Sequence, residues 1–314
     1  AVVTVGAAMI FAGMSGSLIA DAAAIGAIMI PGMVNRGYHR NFASAVVASS
    51  GSIGVIIPPS IPFVLYGFMA GVSVGDLFIA GIIPGLLIGL AFMATCSVIA
   101  IKRKYPVEKP ATIPEVIKDF FNTLPALGML IIVLGGIFAG IFTATEAAAV
   151  AVVYGLLIGF FVHKELKLKD LPKIMVEATI TSATVMLVIG AVGAFTWGLS
   201  ANSVPQNLTA SVLSYTQNKF VILLIINLVL LALGCIMGLA PALLLTAPIL
   251  LPMVTSLGVD LLHFGMIIVC NLAIGSFTPP VGGCLYISSQ LAGVSIWETA
   301  KGLVPFIVVN ILVL

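Results

Sequence analysis

The sequence predicts an all-α polytopic membrane protein built from an inverted repeat, with two re-entrant hairpins and two broken helices. Three observations support this prediction. The chain is too apolar for a water-soluble domain, its glycines and prolines recur at a constant spacing, and its basic residues gather in a few short turns. Together they describe a molecule with two related halves that lie in the bilayer in opposite orientations.

The composition places the chain in a lipid bilayer. Of its 314 residues, 61% are hydrophobic and 8% are charged, and the mean hydropathy is +1.26, whereas a soluble domain carries about 25% charged residues. At roughly 20 apolar residues per helical crossing, the length allows about ten crossings. A water-soluble enzyme, a disordered chain and a disulfide scaffold are excluded, and the sequence has no basic patch for nucleic acid.

An internal repeat organises the chain. Landmark glycines and prolines near the N-terminus return near the C-terminus, each 221 positions later. The matched pairs are Gly13 with Gly234, Pro31 with Pro252, Gly54 with Gly275, Pro58-Pro59 with Pro279-Pro280, Gly81 with Gly302 and Pro84 with Pro305. Each copy therefore contains an apolar run, a glycine-rich break, a short helix, a polar turn, a run interrupted by two prolines and a final span.

The helix after each glycine-rich break is predicted to be short. The two helices are expected over Leu18 to Ile30 and Leu239 to Leu251, which gives about 20 Å at 1.5 Å per residue against a hydrocarbon core of roughly 30 Å. Helices of this length do not cross the membrane. We therefore expect them to be the returning arms of two re-entrant hairpins.

The segments with two adjacent prolines are too long for one straight crossing. Residues 41 to 75 contain no charged side chain. Proline removes a backbone N–H and displaces the preceding residue from the helical region, so we expect two half-helices in each copy, broken at Pro58-Pro59 and Pro279-Pro280. Carbonyls freed at membrane depth must be buried in protein or line a polar cavity.

The basic residues orient the two copies through the positive-inside rule. They fall in four turns, which we place on the cytoplasmic side: Arg36 and Arg40; Lys102, Arg103, Lys104, Lys109 and Lys118; Lys164, Lys167, Lys169 and Lys173; and Lys301. With the hairpins counted as no crossing, the first hairpin opens inward and the second outward. This architecture is typical of secondary transporters with a midplane site. Three helices (119–199) precede the second hairpin, so symmetry predicts about three more before Ala1.

Asp21 is the sharpest candidate for a functional side chain. An aspartate near the centre of a membrane helix costs about 2.5 to 3.5 kcal/mol on insertion scales, so such residues normally mark a substrate or ion pathway. The equivalent residue of the second copy is Ala242, and a residue needed only to build the repeat would occur in both copies. The alternative is a structural carboxylate that caps N–H groups of the hairpin.

Serines crowd the tip of the first hairpin and the first helix break. Together with the aspartate they are the predicted substrate-binding residues: Ser15, Ser17, Asp21, Ser50, Ser52 and Ser60. Ser15 and Ser17 either cap the returning helix or form, with Asp21, a polar nest at a helix N-terminus that favours an anion. The serines of the break either face the substrate or bond to the backbone of their own helix.

Glu146 lies in the sequence TATEAAA at the start of a predicted helix. Thr143 and Glu146 have the spacing of a capping box, which we take as their role. A contact of this scaffold segment with a partner subunit is the alternative.

The sequence favours a transporter over other membrane proteins. It contains no HExxH motif, nucleophile elbow, P-loop or paired intramembrane aspartates, so we do not expect an enzyme. An uncoupled anion channel stays open as the alternative, although a channel does not need opposed repeats with interrupted helices.

Four segments resemble the large membrane subunit of tripartite ATP-independent periplasmic (TRAP) transporters. They are GMSGSLIADAAAIGAIMIP (13–31), RGYHRNFASAVVASSGSIGVIIPPSIPFVLYG (36–67), GIFTATEAAAVAVVYG (140–155) and GSFTPPVGGCLYISSQLAGVS (275–295). The resemblance spans nearly the whole chain, and its motifs are long and specific.

The resemblance implies a sodium-coupled symporter of the bacterial inner (cytoplasmic) membrane that imports a small organic anion, such as a C4-dicarboxylate or sialic acid. It implies two partners, a small membrane subunit and a periplasmic substrate-binding protein that delivers the substrate. It also implies an elevator mechanism, in which a mobile transport domain slides against a scaffold. The domains would be 1–76 and 218–291 (transport), 77–118 (span and cytoplasmic linker), 119–217 (scaffold) and 292–314 (start of the final span).

The resemblance further implies two sites for the coupling ion, Na⁺, formed mostly by backbone carbonyls. The residues would be Gly13, Ser15, Gly54, Ile57 and Pro59 in the first site and Gly234, Gly275, Thr278 and Val281 in the second. Carbonyls freed at helix breaks are suitable ligands for such an ion. The alternative is that these glycines and prolines only kink the helices.

Overall fold

The computed structural model describes residues 1–106 and 113–314, without the side chains of residues 115, 116, 119, 120 and 122. In chain order its α-helices are α1 (Val2–Ser15), α2 (Leu18–Asn35), α3 (Arg40–Gly51), α4 (Ile61–Ala70), α5 (Val74–Lys102), α6 (Ile113–Phe138), α7 (Ala144–Leu157), α8 (Leu171–Ala201), α9 (Val204–Tyr215), α10 (Lys219–Ile236), α11 (Leu239–Ser256), α12 (Leu261–Gly275), α13 (Gly283–Ala292) and α14 (Ile296–Val313). Shorter helical turns cover Ser52–Val55, Ile158–Val162 and Leu168–Asp170. Lys109, assigned above to a cytoplasmic turn, lies outside the described residues with the rest of 107–112.

The protein is an all-α polytopic membrane protein, as predicted. Within the described ranges no strand occurs, and seven helices are long and apolar enough to cross a membrane. They are α2, α5, α7 with its extension to Val162, α8 with the turn before it, α10, α11 and α14. The short helix α9 was not predicted from the sequence.

The chain forms two compact units, residues 1–106 with 195–314 and residues 107–194. The second unit contains α6, α7 and most of α8. In it, the hydroxyl of Tyr154 donates a hydrogen bond to the carbonyl of Pro125 at 2.7 Å, which joins α7 to α6. Thr143 and Glu146 form a reciprocal capping box at the start of α7, so the structural role predicted for Glu146 is confirmed.

The first unit contains both copies of the repeat. Helices α1 to α5 correspond to α10 to α14, and the starts of α2 and α3, at Leu18 and Arg40, lie 221 positions before those of α11 and α12, at Leu239 and Leu261. The predicted half-helices are confirmed, because α3 and α12 end before the paired prolines and α4 and α13 begin after them. The peptide bonds Pro58-Pro59 and Pro279-Pro280 are both cis.

The predicted lengths of the two short helices are wrong. Helices α2 and α11 each contain 18 residues and continue through Pro31 and Pro252. Proline removes one intrahelical hydrogen bond, but its fixed φ angle is compatible with a helix, so it does not have to end one. At 1.5 Å per residue each helix is about 27 Å long, close to the thickness of the hydrocarbon core. Length therefore gives no support for re-entrance, which stays a prediction.

Contacts at the helix ends show that the two copies run in opposite directions. Helix α3 begins beside the C-terminal end of α5, where the rings of Tyr38 and Tyr105 stack with centroids 4.3 Å apart. Helix α12, the equivalent of α3, begins beside α4, because the hydroxyl of Tyr66 donates to the carbonyl of Leu261 at 2.7 Å. Since α4 leads into the start of the 29-residue helix α5, these two places lie at opposite ends of the unit.

Charge is distributed unequally between these two ends. The end that contains the start of α3 also contains the end of α13, because Arg40 Nη1 donates to the carbonyl of Ala292 at 3.2 Å. Its charged residues are Arg36, Arg40, Lys102, Arg103, Lys104, Lys301 and Glu298, and those of the opposite end are Asp76, Asp260 and Lys219. The positive-inside rule predicts that the basic end faces the cytoplasm, and this orientation stays a prediction.

Candidate functional site

Asp21 lies in the first turn of α2 and is fully buried. Its Oδ1 accepts a hydrogen bond from Ser15 Oγ, whereas its Oδ2 has no hydrogen-bond partner among the described residues. Ser17 completes the turn: its N–H donates to Ser15 Oγ at 3.1 Å, and its own hydroxyl caps α2 at Ala20. Ser15, Ser17 and Asp21 thus form one hydrogen-bonded cluster at the start of α2, and binding of a ligand there stays a prediction. Within the described part of the chain, Oδ2 is a buried carboxylate oxygen with no donor to offset its burial.

The free oxygen of Asp21 faces the first helix break. Gly54, in the turn Ser52–Val55, has no side chain, and Asp21 Oδ2 occupies the space that a Cβ atom at Gly54 would fill. A Cβ atom at Gly51 would similarly lie 2.9 Å from the Cβ of Ala22. Glycine at both positions thus allows α2 to approach the end of α3 closely enough to bring the carboxylate to the break.

The turn between α1 and α2 closes against the other side of the same break. Gly16 has a φ of +62°, and a Cβ atom there would lie 2.7 Å from the carbonyl oxygen of Pro59. The N–H of Ile61 donates to the carbonyl of Gly16 at 3.4 Å. Gly13 is buried in the last turns of α1, and Ile57 lies between Gly54 and Pro59. The five residues of the first implied cation site therefore all belong to these two segments, which are in contact.

A second cluster occupies the equivalent position in the other copy. A Cβ atom at Gly275 would collide with the backbone of Gly234, so α10 and α12 meet backbone to backbone. Within the break, the N–H of Val281 donates to the carbonyl of Cys235 at 3.1 Å, and the N–H of Thr278 donates to the carbonyl of Gly275 at 3.1 Å. The four residues of the second implied cation site thus also lie on two touching segments.

The two clusters differ in charge. The residue equivalent to Asp21 is Ala242, which is fully buried in α11. The first cluster therefore contains a carboxylate and the second is built from backbone and hydroxyl groups.

The three serines of the first break that were predicted to bind substrate are buried, and their hydroxyl groups donate to backbone carbonyls. Ser50 donates to Val46 at 2.7 Å and Ser52 donates to Ser49 at 2.7 Å. Ser60 donates to Val55 at 2.5 Å and caps α4 at Phe63. In this conformation each hydroxyl can offer an outside ligand only its acceptor lone pairs, and substrate contact at these serines stays a prediction.

Cys284 is a residue of this region that sequence reasoning missed. It is fully buried, lies in the first turn of α13, and directs its Sγ to the carbonyl of Leu18 at 3.4 Å. The backbone N–H of Cys284 donates to the carbonyl of Ser276 at 2.9 Å. Cys284 thus connects the second helix break to the start of α2. Its position directly after Gly282-Gly283 was the only sign of this role in the sequence.

Three helices begin where the two copies meet. Helix α2 begins at Leu18. Helix α13 begins opposite it, where a Cβ atom at Gly283 would lie 3.4 Å from Cδ1 of Ile19. Helix α4 begins at Ile61, whose N–H donates a hydrogen bond to the carbonyl of Gly16. A helix N-terminus carries a partial positive charge and free N–H groups. Their convergence beside a polar nest favours binding of an anion.

Residues 1–314 match the family described as "Tripartite ATP-independent periplasmic transporter, DctM component". The chain is 44% identical over 315 residues to the isethionate TRAP transporter permease protein DctMQ of Oleidesulfovibrio alaskensis, covering 100% of this chain and 50% of that protein. It therefore spans about half the length of that relative.

Two further relatives are large permease proteins of the same kind of transporter. The sialic acid protein SiaM of Vibrio cholerae is 39% identical over 312 residues, which are 99% of this chain and 73% of that protein. The C4-dicarboxylate protein DctM of Pseudomonas aeruginosa is 37% identical over 309 residues, which are 98% of this chain and 72% of that protein.

Proposed function

The chain belongs to the DctM family of tripartite ATP-independent periplasmic transporters, and we propose that it is the large permease subunit of a sodium-coupled importer of a small organic anion. The observation that carries this proposal is the junction of the two opposed copies. There, each helix break meets the turn between two helices, and a buried carboxylate oxygen of Asp21 has no hydrogen-bond partner among the residues that the structure describes.

The anionic nature of the substrate is supported by the converging N-termini of α2, α4 and α13 and by the relatives. Those relatives are named for isethionate, C4-dicarboxylates and sialic acid, which are a sulfonate and carboxylates and therefore anions at neutral pH. We propose that the substrate's acidic group binds near Ser17 and the start of α13, where helix N-termini favour negative charge.

Sodium coupling is supported by the two clusters. We propose that one Na⁺ ion binds between the first helix turn and the first break, with carbonyl oxygens and Asp21 Oδ2 as ligands, and that a second binds between Gly234 and the second break. A cation beside Asp21 would satisfy the carboxylate oxygen for which the described residues offer no partner. It would also offset the negative charge of a substrate bound next to it.

The proposed complex contains two further proteins, a small membrane subunit and a periplasmic substrate-binding protein, and resides in the bacterial inner membrane. We propose an elevator motion in which residues 1–76 and 218–291 move with the substrate against a scaffold that includes residues 119–217. This proposal is supported by the division of the chain into two compact units, because both transport segments lie in the first unit and residues 119–194 of the scaffold lie in the second. Helices α5, α9 and α14 pack within the first unit.

Proteoliposomes that contain the complete complex test the coupling. With the binding protein and its ligand outside, we expect the labelled anion to accumulate only when a sodium gradient is directed inward. Potassium in place of sodium, or a sodium ionophore, should abolish accumulation. Equal accumulation without a sodium gradient would refute sodium coupling, and anion conductance that needs neither sodium nor binding protein would establish the channel alternative.

A further inference from the structure

We propose that the basic end of the first unit binds the phosphate headgroup of an anionic phospholipid, at a site formed by the end of α5 and the turn between α2 and α3. This inference depends on the membrane placement of the chain and goes beyond the transport function proposed above.

A buried tyrosine fixes the end of α5 to this turn. Tyr105, three residues beyond the helix, is only 8% exposed. Its ring stacks on Tyr38, with centroids 4.3 Å apart, and on Phe42, with centroids 5.6 Å apart. Its hydroxyl accepts a hydrogen bond from the N–H of His39 at 3.5 Å. Two segments more than sixty positions apart in the chain are thus held together at the end of the unit.

The same aromatic cluster holds Arg103 in place. The guanidinium carbon lies 5.5 Å from the centroid of the Phe42 ring, within the range of a cation–π contact. One nitrogen, Nη1, donates to the hydroxyl of Tyr105 at 3.4 Å. The residue is exposed, and a guanidinium has five N–H donors. Arg103 is therefore preorganised, and it retains donors for a phosphate on its exposed side.

Charge in these two segments is entirely positive. Lys102 and Lys104 flank Arg103 and are exposed, and Arg36 precedes Tyr38 by two residues. The sequence contains no aspartate or glutamate from residue 22 to 75 or from residue 77 to 107. An anion that reaches this surface thus meets several cations and no carboxylate from either segment.

The adjacent apolar surface favours a lipid over free phosphate. Ile101, directly before the basic residues, is 77% exposed, and Val98 is 51% exposed. These side chains can contact acyl chains while the basic residues contact the headgroup, which free phosphate cannot do. By the positive-inside rule this end lies at the cytoplasmic leaflet, where anionic lipids attract basic residues next to a membrane helix.

Native mass spectrometry of the purified, full-length permease tests the site. Dioleoyl phosphatidylglycerol and dioleoyl phosphatidylethanolamine, which share their acyl chains, are titrated separately. We expect tighter retention of phosphatidylglycerol and a loss of about fivefold in its affinity with Arg103→Gln, since one basic residue near a membrane surface contributes about that factor. Lys219→Gln is the matched control, because it removes the same charge from an exposed lysine at the opposite end of the first unit.

Three results would overturn the proposal. They are equal affinity for the two lipids, unchanged affinity in Arg103→Gln, and complete displacement of phosphatidylglycerol by millimolar inorganic phosphate, which would indicate a simple anion site. A thermal unfolding midpoint of Arg103→Gln equal to that of the unchanged protein would exclude misfolding as the cause of weaker binding. Because lipid retention is measured without sodium or substrate, its outcome is independent of the transport experiment.

Discussion

At the scale of single residues, the main asymmetry of the molecule is the carboxylate of Asp21 in one copy and the methyl group of Ala242 in the other. Both residues are fully buried, in helices that correspond through the repeat. One oxygen of Asp21 accepts a hydrogen bond from Ser15, and the other faces Gly54 and has no partner in residues 1–106 and 113–314 as described. A structural cap would use both oxygens on N–H or hydroxyl groups, so the free oxygen favours a role in binding a cation or substrate.

Asp21→Asn is expected to fold and to lose transport. The substitution keeps the size of the side chain and removes its charge, and a charged hydrogen-bond partner contributes about 1.5 to 3 kcal/mol, which corresponds to at least about tenfold in affinity. Sodium-driven uptake in proteoliposomes, measured over a range of sodium concentrations, should show a higher half-saturating concentration or no uptake. Asp76→Asn, an exposed acidic residue in the first turn of α5, is the control. Normal uptake by Asp21→Asn would assign this aspartate a structural role.

Asp21 could be singled out from the sequence as a candidate binding residue, because a charged side chain in an apolar helix is rare and its burial in the membrane costs free energy. What it contacts could not be identified, because Gly54 lies 33 positions later in the chain and nothing local brings the two together. The close approach depends on glycines at residues 51 and 54, and a glycine does not reveal in sequence which neighbour will fill its missing side-chain space. The same reason explains why Cys284, an ordinary small apolar residue by composition, was missed.

At the scale of secondary-structure elements, the helix breaks could be predicted and the helix ends could not. Two adjacent prolines preclude a continuous helix, and both breaks occur where they were expected. A single proline such as Pro31 costs one hydrogen bond, which tertiary packing can outweigh, so α2 continues past it to Asn35. Proline thus marks a break reliably only when it is doubled, because a second one removes the neighbouring hydrogen bond as well.

Two glycine substitutions are expected to differ in their effect on stability, because Gly275 lies in the contact of α10 with α12 and Gly6 faces open space. In Gly275→Ala the new methyl group meets the backbone of Gly234, which cannot rotate away, so we expect a loss of about 1 to 3 kcal/mol in the free energy of unfolding. In Gly6→Ala, within α1, the methyl group enters open space, and the better helix former should be neutral or stabilise the protein by about 0.5 to 1 kcal/mol. Thermal unfolding of both variants in detergent measures the difference. Equal midpoints would show that α10 and α12 are not in backbone contact.

At the scale of the whole molecule, the defining property is that two related halves run in opposite directions. The repeat could be recognised in the sequence from its spacing, and the inversion from the basic turns, because both are properties of the chain alone. The structure adds the contacts that fix the two directions, namely Tyr38 with Tyr105 at one end of the first unit and Tyr66 with Leu261 at the other. Each of these contacts joins residues that no local pattern connects.

Equivalent residues of the two copies should therefore be accessible from opposite sides of the membrane. Asn35 and Ser256 are the last residues of α2 and α11, both exposed and 221 positions apart. We expect Ser256→Cys to react with a membrane-impermeant maleimide in intact spheroplasts. Asn35→Cys should react only in inverted vesicles, since the positive-inside rule predicts that the basic end faces the cytoplasm. The native cysteines give little background, because Cys96, Cys235, Cys270 and Cys284 are all buried. Labelling of both variants from the same side would show that the copies are parallel, and it would remove the structural basis of the proposed midplane site.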